Sequence, residues 1–297
     1  MAVETPDSEA SATPEALANA FFESPVSRAR RILSGLEIWL PATFLAFMVL
    51  ACFLWPEIYP LRNPIRGDLN SPLLPPLSPH YLLGTDQYGN DIVSRVLYGG
   101  RISIEVGLGT AAIGLSIGGT LGAVAGYLGG GVEIVIMRLL DVLLATPSLV
   151  LAIVIATYLG PSELHVIWAI SFFGIPAFAR LGRASTLRLR EQNFMTAARL
   201  VGTRDAKILL RHVFPSIAPQ LMTFALLGIG IAIMVEAALS FLGLGIPAPG
   251  PSWGNMISAG QQNLTSDPYL VIIPSGFLCA TVLCLNLVGD ALRARWS

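Results

Sequence analysis

The pentapeptide GLSIG, Gly114 to Gly118, has the G-x-S-x-G spacing that presents a serine nucleophile in hydrolases. That elbow requires a sharp turn from a strand into a helix. Ser116 instead lies in an apolar run where Gly114, Gly118, Gly122 and Gly126 recur every four residues. On a helix these glycines form one smooth stripe, a repeated GxxxG that lets another helix approach closely. Ser116 is therefore expected to bond back to its own helix or to face a neighbour. The other reactive residue types are also ill-spaced for catalysis. His80, His165 and His212 are far apart, so there is no HExxH zinc site. Lys207, the only lysine, follows Ala206 and precedes Ile208, so there is no GxxxxGK[ST] loop for nucleotide phosphates. Cys279 and Cys284 are five apart and Cys52 is remote, which suits neither a metal clip nor a CxxC pair. All three are expected as small core residues. Asp86 and Asp91 in GTDQYGND offer calcium-type oxygens, but the EF-hand spacing with its final Glu is missing. A turn held by Asx-type bonds is expected there, with Ser94, Arg95 and Arg101 at a membrane surface.

The elements that hold these residues are membrane helices. Only 12 % of the 297 residues are charged and 54 % are hydrophobic, against roughly 25 % charged in a soluble domain. A span needs about 20 mostly apolar residues, and six such segments are predicted: 36–55, 102–127, 139–159, 164–181, 217–240 and 269–290. The fourth is the weakest, because Gly174 and Pro176 interrupt it. Residues 1–31 read as a disordered, cytoplasmic tail without the layout of a cleavable signal peptide. Arg28, Arg30 and Arg31 then precede the first apolar run, and residues 32–297 form the membrane domain. With the N-terminus inside, fourteen of the 18 Lys and Arg residues face the cytoplasm; Arg62, Arg66, Arg95 and Arg101 lie outside. The positive-inside rule therefore puts both termini in the cytoplasm. A formal net charge of −1 gives no bulk attraction to nucleic acid. Glu236 is a carboxyl group near the outer end of the fifth span. It is expected to bond the Gly/Pro-rich loop that follows or, with Ser240, to line the outer end of a solute path. That loop reads as a re-entrant segment on the outer side, with Trp253 as an interfacial anchor or a contact for an external protein.

The most basic helical passage is QNFMTAARLVGTRDAKILLRHVFPS, residues 192–216, within a predicted cytoplasmic loop over 183–216. Phe194, Ala197, Ala198 and Val201 give one short helix an apolar face. Gly202 stands where a helix C-terminus favours a left-handed residue. Thr203 is placed to cap a second helix, with Asp205 in its first turn. Ala206, Leu209, Leu210 and Val213 give that helix an apolar face opposite Arg204, Lys207 and Arg211, and Pro215 is expected to close the unit. Two uses fit these residues: an amphipathic surface touching lipid phosphates, or a docking surface for a cytoplasmic partner.

The passage resembles the EAA loop of ABC-transporter permeases. Ala197, Ala198 and Gly202 match the Glu-Ala-Ala-x-x-x-Gly pattern, and His212 and Pro215 fall in its closing part; Thr196 stands where the family has an acidic residue. Leu82 to Ser103, Glu236 to Ile257 and LNLVGDALR resemble the second permease of the dipeptide, oligopeptide and nickel uptake subgroup. The resemblance implies an all-α, six-span permease with a coupling loop between helices 4 and 5. It implies docking of the ATPase through Phe194, Ala197, Ala198, Arg199, Gly202, Asp205, His212 and Pro215. It also implies a homologous second permease, one or two P-loop ATPase subunits carrying ATP and Mg, and an external solute-binding protein, in a prokaryotic inner membrane. The chain itself would bind no cofactor and catalyse nothing. Peptides are the expected solute, with nickel complexes or other small solutes as the alternative. An ion-coupled secondary transporter is the rival mechanism; it would want ionisable residues at mid-membrane.

Overall fold

A computed structural model describes residues 25–58 and 61–296. The chain divides into two compact units, Met1–Leu40 and Pro41–Ser297. Of the first unit the described part is helical, 25–40; the tail expected over 1–24 lies outside the described residues. Helix already begins at Pro25, within the stretch expected to be disordered. The second unit is an all-helical bundle.

Among the described residues, five helices are long and apolar enough to cross a membrane. The first, α1 (Pro25–Phe53), continues through a short turn of helix to Ile58. The second, α2 (Ile92–Leu128), starts ten residues before the expected span. Its start is set by Asp91, whose carboxylate accepts from the Ser94 backbone N–H at 2.9 Å and from the Ser94 hydroxyl at 2.8 Å. Arg95 in the first turn lowers the local hydropathy, yet it is buried. Asp86 lies 3.4 Å away, and the Pro64 carbonyl accepts from Arg95 at 2.9 Å. Midway, Gly114–Gly118 forms a π-turn. Ser116 Oγ donates to the Ala112 carbonyl of its own helix at 2.7 Å.

The segment expected as the third span is not one helix. It is α3 (Gly130–Leu144) and α4 (Ser148–Leu159), bent by 82°. The cause is Pro147, which has no N–H to give and disfavours helical geometry in the residue before it. In contrast, Pro176 does not break the fourth span. The helix α5 (Glu163–Arg190) continues through it and extends beyond the expected end at 181, so the loop starts later than residue 183. The stripe of α2 explains the fit. A Cβ at Gly118 would lie 2.4 Å from the Ile175 carbonyl oxygen, one at Gly122 would lie 2.2 Å from that of Ala179, and one at Gly126 would lie 2.8 Å from that of Arg183. Gly114 sits on the Phe178 ring. The α2 and α5 backbones therefore touch, as the GxxxG geometry requires. Two arginines of α5 tie α3 to it: Arg180 donates to Asp141 at 2.8 Å and Arg183 pairs with Glu133.

After the short helix α6 (Asn193–Leu200), α7 (Asp205–Phe241) is continuous, so Pro215 does not close a unit as expected. The π-turn Leu209–Val213 lies just before it. Its extra residue per turn relieves the clash a proline ring makes with the carbonyl four residues back. The chain then turns through 242–252 into α8 (Trp253–Gly260) and α9 (Tyr269–Trp296). Of the cysteines, only Cys52 is buried; Cys279 is exposed on α9, so an apolar run alone did not mean a core position.

Residues 61–91 contain no long helix, yet hydrogen bonds order them. Thr85 Oγ1 accepts from the Leu74 N–H at 2.9 Å and donates to the Ser71 carbonyl at 2.7 Å. Asp86 Oδ1 accepts from the N–H groups of Tyr88 and Asn90, which is Asx-turn geometry. Asn263 Nδ2 donates to Gln87 at 3.0 Å, joining this segment to the one after α8. The two segments cap one end of the bundle, and α6 lies at the other.

Candidate functional site

Helix α6 ends as its glycine dictates. Gly202 has φ +77°, its N–H donates to the Arg199 carbonyl at 2.9 Å, and the Thr203 N–H reaches the Ala198 carbonyl at 3.2 Å. Thr203 is not the cap of the next helix. Arg204 holds that position, with φ −62° and ψ 140° and no side-chain cap bond.

The loop sorts its apolar side chains into two sets. Met195, Ile208 and Val213 are buried in one cluster with Ala123 and Tyr127 of α2 and Phe178 of α5. Phe194, Ala197, Leu200, Val201 and Leu210 are exposed, Leu200 by 83 % and Val201 by 85 %. On α6 the apolar residues Phe194, Ala197 and Val201 thus face outward, Ala198 is half-buried, and Met195 is the internal anchor. On the next stretch Val213 is buried and Leu209 half-buried as the expected face requires, but Ala206 and Leu210 are exposed and Ile208 is buried; the π-turn lets Ile208 and Val213, five apart, share the inner side.

Polar contacts complete the loop. The Tyr127 hydroxyl donates to Asp205 Oδ1 at 2.6 Å, and the Arg199 guanidinium lies 5.0 Å from the centroid of the Tyr127 ring. His212 and Phe194 bring their rings within 6.2 Å. Pro215 is exposed and Ala198 half-buried. Seven of the eight residues expected to couple are therefore grouped on and around one short helix, and Pro215 follows on α7. Tyr127 was not anticipated. Its only sequence signal is its place directly after Gly126, at the end of the stripe.

At the capped end, Glu236 is fully buried. Its Oε2 accepts from Ser103 of α2 at 2.8 Å and its Oε1 from Ser240 at 2.6 Å. Ser240 Oγ in turn accepts from the Ile246 N–H at 3.2 Å, so the carboxyl holds the following loop through a hydroxyl rather than directly. Trp253 is not an interfacial anchor. It is 0 % exposed, and its Nε1–H donates to the Val96 carbonyl at 3.0 Å. Gly100 makes room for it: a Cβ there would lie 2.7 Å from both the indole and Cys52 Sγ. Glu236, Ser240 and Trp253 are thus close together but sealed. Only Ser240 borders an open space, a cleft of about 870 Å³ between residues 65–69 and 87–90 on one side and 243–262 on the other.

Residues 118–297 match the family described as "Binding-protein-dependent transport system inner membrane component". The chain belongs to this family. The dipeptide transport system permease protein DppC of Alkalihalophilus pseudofirmus is 38 % identical over 251 residues, 84 % of this chain and 81 % of that protein. The glutathione transport system permease protein GsiD of Pectobacterium atrosepticum is 42 % identical over 218 residues, covering 73 % and 72 %. That of Escherichia coli O157:H7 is 43 % identical over 210 residues, covering 71 % and 69 %. A solved chain of the methionine ABC transporter MetNI covers 69 % of this permease and 98 % of its own length, with a TM-score of 0.57 and 14 % identity, which is a likeness of fold. The matched family region takes in α6, α7 and the capped segment around α8, so both constellations described above belong to it except for their partners early on α2.

Proposed function

We propose that this permease is the membrane subunit of an ATP-driven importer for small peptides. It forms the translocation path with a homologous permease and docks a cytoplasmic ATPase subunit on α6. The observation that carries this reading is the exposed set Phe194, Leu200 and Val201 on and just past α6, with Leu210 on α7, in a loop otherwise tied down by Met195 and Tyr127. Such a set loses its favourable burial unless a partner covers it. Gly202 lies open, with nothing within 4 Å of an added Cβ, so a partner surface can come close to it. The loop and both termini face the cytoplasm on the charge bias, and the segments 61–91 and 242–268 face outward toward a solute-binding protein. Peptide as solute follows from the dipeptide and glutathione permeases it is similar to. ATP and Mg belong to the partner subunits, the chain catalyses nothing itself, and its place is the inner membrane of a prokaryote.

The test is purification of the tagged chain at native expression in mild detergent, with mass spectrometry of what accompanies it. Recovery of a second permease and one or two Walker-A ATPases, with the ATPases lost in Gly202→Trp, supports the assignment. A chain recovered alone that moves peptide in liposomes without ATP would overturn it in favour of secondary transport.

A further inference from the structure

Helices α2 and α7 are joined by side-chain hydrogen bonds at both of their ends. At the loop end the Tyr127 hydroxyl of α2 donates to Asp205 of α7. At the capped end Ser103 of α2 donates to Glu236 of α7. Between these points the two helices pack closely: a Cβ at Gly107 of α2 would lie 2.9 Å from the Ile229 side chain of α7. Val96 of α2 also accepts from Trp253, the first residue of α8. From Tyr127 to Val96 there are 31 residues of one helix, about 46 Å at 1.5 Å per residue. The glycine stripe presses that helix against the α5 backbone over its second half.

We propose that α2 is a second arm of the coupling device. The Tyr127–Asp205 bond, reinforced by Arg199 on the Tyr127 ring, passes displacement of α6 into α2, and α2 delivers it to Glu236 and α8 at the far end. The loop continues directly into α7. The geometry adds a side connection. The loop is gripped by α2 as well as covalently continued by α7, and both helices meet again at Glu236. Tyr127 is thus a positioning residue whose hydroxyl matters as a link rather than as bulk. Its ring packs in the cluster with Met195, Ile208 and Phe178, and Phe at this position keeps that packing while removing the donor.

This inference rests on the importer reading, and the test separates the two. The whole complex, with its ATPases and binding protein, is reconstituted in liposomes, and solute moved is measured per ATP hydrolysed. Tyr127→Phe and Asp205→Ala are each expected to lower that ratio about threefold or more. The double variant is expected to fall no further than either one, because both remove the same bond. Asp205→Asn, which keeps an acceptor oxygen, loses less than Asp205→Ala. A thiol reporter, Ala259→Cys on the exposed side of α8, is labelled in parallel with a membrane-impermeant maleimide. Its labelling rate is expected to change with nucleotide in the Tyr127 parent and to flatten in Tyr127→Phe. A coupling ratio equal to the parent in Tyr127→Phe, additive losses in the double variant, or a reporter that ignores nucleotide in the parent would each overturn the second arm. A parent complex that neither hydrolyses ATP nor moves peptide would overturn the importer reading itself.

Discussion

The loop around α6 and the capped segment around Glu236 look alike as sequences. Each is a polar, glycine- and proline-punctuated passage at the end of a long apolar run. Structurally they are opposites. The capped segment satisfies itself: Glu236 has two hydroxyl donors, Trp253 has a carbonyl acceptor, and both side chains are closed to solvent. The loop at α6 uses Met195, Ile208 and Val213 to hold on and leaves Leu200 and Val201 almost fully exposed. The difference teaches where to look for a partner. A buried polar group with all its bonds made reports on the chain's own folding. Exposed aliphatic side chains on an anchored helix report on something outside it.

If that contrast is right, variants in the two regions separate by readout. The largest stability effect belongs to Trp253→Ala. It empties a fully buried indole site and removes the Trp253–Val96 hydrogen bond, for a loss of about 3–5 kcal/mol. Thermal unfolding of the purified chain in detergent measures it. An unfolding midpoint like that of the parent would show that the capped segment does not depend on its own core. Glu236→Ala comes next, because it strands the Ser103 and Ser240 hydroxyls in a buried site, at about 2–4 kcal/mol. Glu236→Gln keeps one acceptor and costs less. Equal losses for the two would mean that the carboxamide oxygen is no substitute and that the site requires a carboxyl group.

The loop should behave the other way. Leu200→Asp and Val201→Asp change side chains that contact almost nothing in the chain. Stability should stay within about 0.5 kcal/mol of the parent. Capture of the ATPase subunit, measured by titration against the detergent-purified complex, should weaken about tenfold or more, or at least ~1.4 kcal/mol. Full affinity with lowered stability would invert the contrast and make this strip part of the fold.

Much of the architecture was legible because hydropathy and glycine spacing are read directly by packing. The stripe Gly114, Gly118, Gly122 and Gly126 meets backbone or a ring at each step. Proline was read less well, because its effect depends on neighbours. Pro147 stands at an 82° break, Pro176 leaves its helix continuous, and Pro215 is absorbed by a π-turn that no periodicity announces. That same π-turn puts Ile208 beside Val213 on the inner side, where Ala206 and Leu210 are expected with Leu209 and Val213. Trp253 was misassigned because an interfacial and a buried tryptophan look the same without the partner glycine, Gly100, which lies 153 positions earlier in the chain. Tyr127 and Asp205 are separated by 78 residues, and only the fold brings them together.

The smallest effects test the turn between the two halves of the loop. Gly202 has φ +77° with open space around it. Gly202→Ala therefore meets no clash and should cost about 1 kcal/mol from backbone conformation alone. Thr203→Ala should cost less than about 0.5 kcal/mol, since Arg204 rather than Thr203 occupies the cap position and no side-chain cap bond exists to lose. Hydrogen exchange of the amides of 205–208 reads both changes locally. A loss of about 1 kcal/mol or more in Thr203→Ala would mean that its hydroxyl does cap this helix in solution. The loop would then owe part of its order to its own turn, and the docked partner would be asked to supply correspondingly less.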